Sequence, residues 1–157
     1  MPDSYQTGLK LLSRRELSTK ELSERLLRRG FTQDSVSVTV KRLIDDGTLN
    51  DYRTALALAH REAYIRARGQ LRAVREIESH GIPRDLSISA VKETYKDLDE
   101  REMIEGALKK RLKGTITDNR QMRRLYQFLI RQGFDVSITR SVLNAHTQTT
   151  RINENLD

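Results

Sequence analysis

The stretch Leu129-Ile130-Arg131-Gln132-Gly133-Phe134 reads as the end of a helix, and the chain contains such an ending more than once. It occurs earlier as Leu26-Leu27-Arg28-Arg29-Gly30-Phe31 and as Ile77-Glu78-Ser79-His80-Gly81-Ile82. The glycines stand 51 and 52 residues apart. Each follows a helical turn at a point where the backbone must become left-handed, which glycine does without a Cβ penalty. The residue after each glycine is apolar, and so is the residue four before it: Leu26, Ile77 and Leu129. That apolar pair is the hydrophobic contact of a Schellman cap.

Working outward, a second amphipathic helix follows each cap, over Val36–Ile44, Ile88–Tyr95 and Ile138–Leu143. Ser18-x-x-Glu21 before the first cap is a capping box, and Asp118-x-x-Gln121 before the third has a similar form. The middle helix starts less cleanly, near Gly69. Prolines occur only at Pro2 and Pro83, and apolar residues between them recur with helical period. The alternation Val36–Val38–Val40 is equally explained by helical spacing through Leu43. The chain is therefore expected to be all-α, with about nine short helices. A self-similar period of this length predicts repeats too small to hide their apolar faces alone, stacked into an elongated curved array. Three tandem three-helix repeats are expected, over 1–51, 52–98 and 99–143, followed by a polar tail, 144–157, that is expected to be disordered.

The chain has 157 residues, with 29 Lys and Arg against 22 Asp and Glu, a net charge of +7. Such an excess attracts polyanions, nucleic acid first. Cysteine is absent, which excludes disulfides and thiolate chemistry. The longest apolar run, Ala55–Ala59, is far short of a bilayer span, and MPDSYQTGLK has no apolar core of a signal peptide. A cytoplasmic protein without membrane attachment is expected. The cations cluster. Arg61, Arg66, Arg68, Arg72 and Arg75 are offset only by Glu62 before Glu76. Arg68, Arg72 and Arg75 fall at i, i+4, i+7 and are expected on one helix face. Lys109, Lys110, Arg111 and Lys113 form a second group, and Arg120, Arg123 and Arg124 a third. The acids Asp97, Asp99, Glu100, Glu102 and Glu105 precede the lysines, so part of that pattern complements a helix dipole. Arginine forks suit phosphate and carboxylate partners, which makes these three groups the candidate binding residues.

Signals for catalysis are missing. His60, His80 and His146 lack metal-ligand spacing, and no glycine-rich phosphate loop is encoded. Asp45-Asp46-Gly47 resembles a fragment of a calcium loop, but Leu56 stands where the twelfth-position glutamate would be, so it reads as a turn. No enzyme activity, metal or cofactor is expected.

Several segments together resemble the RecX family of bacterial recombinase regulators. Leu43-Ile44-Asp45-Asp46-Gly47-Thr48-Leu49-Asn50-Asp51, then an Ala-rich helix from Ala55 to Ala63, is similar to the family's L-x-x-x-G-x-L-[DN]-D segment. Arg68-Gly69, Glu76-Ile77 and His80-Gly81-Ile82 are similar to its middle repeat, and Leu129 to Phe134 to its L-x-x-R-G-F. The match spans about residues 9–143. The chain departs from the family at Thr54, where an aromatic is usual, at His80 and Gln132, where a basic residue is usual, and at Ala73, which replaces a larger aliphatic.

The resemblance implies a negative regulator of the RecA recombinase. Such a protein is an array of three helical repeats that lies in the groove of the RecA–single-stranded DNA filament; a monomer is expected. It inhibits ATPase, strand exchange and coprotease activity, touching DNA directly or through the filament. The alternative is a winged-helix transcription regulator, because residues 18–49 read as helix, turn, helix and then Gly-x-Leu. That reading requires two strands after Asp51, where the pattern is helical.

Overall fold

A computed structural model describes residues 2–147. Among these, the helices are α1 (Ser4–Arg14), α2 (Thr19–Arg28), α3 (Gln33–Asp45), α4 (Asp51–His60), α5 (Gln70–Ser79), α6 (Arg84–Tyr95), α7 (Glu100–Lys109), α8 (Asn119–Arg131) and α9 (Val136–Ala145). A π-helical turn, Arg61–Ile65, continues α4. The fold is all-α, and the single β-type pairing among the described residues is an isolated bridge between Ile116 and Thr147. The segment after Leu49 that a wing would need is α4. Among the described residues no helix is long and apolar enough to cross a membrane.

The capping box at α2 forms as the sequence predicts. The Glu21 N–H donates to Ser18 Oγ and the Ser18 N–H to Glu21 Oε1, both at 3.1 Å. At α8 only half a box forms. The Gln121 N–H donates to Asp118 Oδ1 at 2.7 Å, but the Gln121 amide oxygen accepts from the Thr117 N–H at 3.1 Å, one residue too early to close it. A further box, Asp3 with Gln6, opens α1.

Gly30, Gly81 and Gly133 have φ of +92°, +82° and +92°. The Phe31 N–H donates to Leu26 O and the Phe134 N–H to Leu129 O, each at 3.3 Å, as a Schellman cap requires. Three core triads share one spacing around these caps: Leu22, Leu26 and Phe31; Ala73, Ile77 and Ile82; Leu125, Leu129 and Phe134. All are buried except Phe31, which is partly so. Ala73 is fully buried, so the smaller side chain there still occupies a core position.

The chain divides into two compact units. One is built on residues up to Arg61 with Val74–Thr94, the other on Glu62–Ala73 with residues from Tyr95 onward. The middle helical triple, α4 to α6, is thus shared, with Gln70–Ala73 of α5 in the second unit and the rest of that helix in the first. In the first unit the core gathers Leu11, Leu17, Leu22, Leu26, Val36, Leu43 and Leu49. In the second it gathers Ile104, Leu108, Leu112, Ile116, Leu125, Leu129, Phe134, Val142 and Leu143.

Each unit contains the same junction. In the first, Ser18 at the start of α2 donates through Oγ to the His80 carbonyl at 2.5 Å, and a Cβ added at Gly81 would lie 2.6 Å from Lys20 Cδ. In the second, the Gly69 N–H donates to Gln132 O at 2.8 Å and the Leu71 N–H to Gly133 O at 3.2 Å. A Cβ on Gly69 would fall 2.4 Å from the Gly133 carbonyl carbon. The glycine-capped end of one helix therefore stoppers the start of the helix one repeat earlier, satisfying N–H groups and carbonyls that helix termini leave over. His80 and Gln132 serve here through their main-chain carbonyls, so the contact tolerates their departure from a basic side chain. Gly30 has no such neighbour: nothing lies within 4 Å of its added Cβ.

Two expectations are corrected. Arg68 does not share a helix face with Arg72 and Arg75. It precedes α5, because its N–H donates to Glu62 O at 2.9 Å, its carbonyl accepts from the Tyr95 hydroxyl at 2.7 Å, and Gly69 is pinned against Gly133. Helix also continues past 143. The α9 helix ends at Ala145, and the Ile116 N–H donates to His146 O at 2.8 Å. The rest of the tail, 148–157, lies outside the described residues.

Candidate functional site

The arginine group of residues 61–75 is partly structural. Glu62 sits in the π-turn with its side chain 1% exposed, and Arg66 and Arg68 close on it at 2.9 and 3.2 Å. A buried carboxylate demands such partners, so these guanidiniums are committed to the fold. Arg72 donates through Nη1 to Arg131 O at 3.3 Å, completing the end of α8. Arg75 is exposed on the part of α5 belonging to the first unit, where Arg61 borders a small cavity with Glu16, Glu21 and His80. The five residues are therefore divided between the two compact units.

Tyr95 belongs to the Glu62 cluster. Burial first, then the Glu62 and Glu100 carboxylates, push its phenol well above its ordinary value of 10.0. The native state therefore holds this proton more tightly than the unfolded chain does. The corresponding stability is fully present below pH 10 and is lost as pH rises further towards the folded-state value. Tyr95→Phe should cost about 1 kcal/mol at neutral pH through the lost bond to Arg68 O. It should also flatten the fall of stability above pH 10, which urea titrations at several pH values would measure.

The third sequence repeat carries two further groups of exposed cations. Lys109, Lys110 and Lys113 are exposed at and beyond the end of α7, and Arg111 lies over the Phe128 ring, 3.5 Å from its centroid. Arg120, Arg123 and Arg124 are exposed in the first half of α8. Here the tertiary structure adds what sequence reading missed. Packing of α9 on α8 brings Arg140 to 5.6 Å from the Tyr126 ring, beside Arg123. Asn119, Arg123 and Tyr126 of α8 face Arg140 and Asn144 of α9 across a groove of about 410 Å³. Two guanidiniums, a tyrosine ring and two amides in one groove offer phosphate contacts, a stacking surface and base-edge hydrogen bonds, the combination that single-stranded nucleic acid uses. Arg140 stands alone in the sequence, so no charge run announces it.

His80 lies between Glu21 and Glu76, at 3.3 and 3.6 Å, and His146 pairs with Glu105 at 2.6 Å. Among the described residues no three His, Asp or Glu side chains gather as metal ligands.

The model of the RecX first three-helix domain matches residues 5–43. The chain is 30% identical over 146 residues to the regulatory protein RecX of Trichlorobacter lovleyi, covering 89% of this chain and 93% of that one. The chain belongs to the RecX family. It is 31% identical over 137 residues to the RecX protein of Thermotoga petrophila, covering 87% of this chain and 80% of that one. It is 36% identical over 132 residues to that of a Xanthomonas oryzae pv. oryzae strain, covering 83% of this chain and 80% of that one. The crystal structure of RecX from Lactobacillus salivarius superposes with a TM-score of 0.74 at 18% identity, covering 90% of this chain and 93% of that one. That likeness is one of fold, and it agrees with tandem helical repeats. The protein is accordingly a RecX-type regulatory protein.

Proposed function

We propose that this RecX-family protein is a negative modulator of the RecA recombinase that binds the RecA–single-stranded DNA filament. It acts in the cytoplasm as a monomer and lowers ATP turnover, strand exchange and coprotease activity. The observation that carries the reading is family membership over nearly the whole chain. The groove between α8 and α9 supports it, since a filament displays single-stranded DNA and Arg123, Tyr126 and Arg140 suit that ligand.

The test is ATP hydrolysis by the recombinase of the same organism on single-stranded DNA, with this protein added up to near-equal ratio. Turnover should fall. Normal turnover at saturating protein rejects the proposal. Arg123→Glu with Arg140→Glu should weaken direct binding to an oligo-dT strand and reduce its log–log salt slope by about 1 for each phosphate left unneutralised. Arg68 is unsuited to this test, because its charge holds Glu62 in place.

A further inference from the structure

A second groove, of about 560 Å³, opens in the same compact unit, against Phe128 and Gln132. By helical spacing these two residues lie on the face of α8 opposite Tyr126 and Arg123. The floor is apolar, built from Ala63, Leu98, Met103, Ala107 and Phe128, and Arg66, Lys110 and Arg111 stand around it. No carboxylate lines it. Arg66 is paired with Glu62, whereas Lys110 has no acidic partner among the described residues.

Gly106 borders this groove on α7, and on its other side a neighbouring one that Glu102, Glu105 and His146 line. It lies inside α7, where glycine is the poorest choice after proline. The fold gives no reason for it. Its φ is not positive, and a Cβ added there would meet no atom within 4 Å. Gly69 and Gly133 lack a side chain because the chain's own backbone occupies that space, but the space beside Gly106 is open. Close approach by a group from outside the chain is what remains to use it. The lining also includes Ala67 at φ +51°, the single non-glycine residue with positive φ among those described, just after the π-turn.

The chemistry discriminates between occupants. The one aromatic ring in the groove, Phe128, already has the Arg111 guanidinium over one of its faces, which leaves it less to offer a stacking base. A floor of alanines and methionine beside a bare helix backbone suits an aliphatic side chain and a closely approaching main chain. The cationic surround requires negative charge on the incoming segment. We propose that this groove docks an acidic segment of a protein partner, with an apolar side chain over Met103 and Ala107 and carboxylates at Lys110 and Arg111. The partner is identified as the recombinase itself through the functional reading above; the geometry of the groove stands apart from that reading.

The full-length protein tests this with Gly106→Leu, which puts a bulky side chain at the groove's edge from a helical position with open space around it, and with Lys110→Glu, which reverses its charge. Each is compared with wild type for co-sedimentation with recombinase filaments assembled on poly(dT) and for binding to free oligo-dT. Gly106→Leu should melt at or above the wild-type temperature. It should bind filaments about tenfold or more weakly, and keep wild-type affinity for free oligo-dT. Lys110→Glu should weaken filament binding in the same direction. Wild-type co-sedimentation by both variants overturns the docking proposal and leaves the functional reading intact. Parallel loss of free oligo-dT binding by Gly106→Leu overturns it in favour of nucleic acid. Failure of the wild-type protein to bind filaments overturns both.

Discussion

Gly133→Ala should destabilise the protein by about 3 kcal/mol or more, while Gly30→Ala should cost about 1 kcal/mol. Both glycines have φ of +92°, so both changes force an L-residue into the left-handed region. They differ in what the new methyl group meets. At Gly30 there is nothing within 4 Å. At Gly133 the Cβ would fall 2.4 Å from the Arg72 nitrogen and 2.5 Å from the Arg72 Cβ. Those atoms belong to the backbone and root of a packed helix and cannot swing aside like the end of a side chain. The junction must open, and the bonds from the Gly69 and Leu71 N–H groups to Gln132 O and Gly133 O go with it. Each is worth about 1 kcal/mol net, and more if its donor stays buried and unpaired. Urea denaturation of the two purified variants measures the difference. Equal losses would mean that the junction contributes nothing beyond the cap.

Glu62→Ala should cost about 3 kcal/mol, the range seen when one partner of a buried ion pair is deleted. The carboxylate is 1% exposed and takes Arg66 and Arg68 together. Deletion leaves the Arg68 guanidinium, whose side chain is only 20% exposed, without its counter-charge. It also releases the stretch before α5 that presents the Arg68 carbonyl to Tyr95. Glu62→Gln, which keeps shape and acceptor but not charge, should fall between wild type and Glu62→Ala. Equilibrium unfolding of the three proteins checks the order. Because the pair is buried, the loss should change little between low and moderate salt. A strongly salt-dependent loss would mean that water screens the pair.

The two predictions differ in how far the sequence announces them. That Gly133 ends a helix is legible in Leu129-Ile130-Arg131-Gln132-Gly133-Phe134, because a Schellman cap is a local device with a local signature. That it also abuts Arg72 is not legible, since the two residues are far apart in the chain and joined only by packing. Glu62 stands out in the sequence as the lone acid among arginines, yet its burial is set by the π-turn, for which the run Arg61-Glu62-Ala63-Tyr64-Ile65 carries no recognised signal. The same limit separates the candidate binding residues. Arg120, Arg123 and Arg124 are read as a charge run, whereas Arg140 and Tyr126 become partners only when α9 lies against α8.

Sequence alone therefore determined the helical class, the recurrence of the glycine-capped helix ending and the side-chain cap that opens α2. These follow from periodicity, side-chain caps and the freedom of glycine, all of which act within a few residues. Tertiary structure decided which cations serve the fold and which line open grooves, and why a methyl group meets packed backbone at Gly133 but open space at Gly30. Burial and close approach depend on what arrives from elsewhere in the chain, and no window of a few residues contains that neighbour.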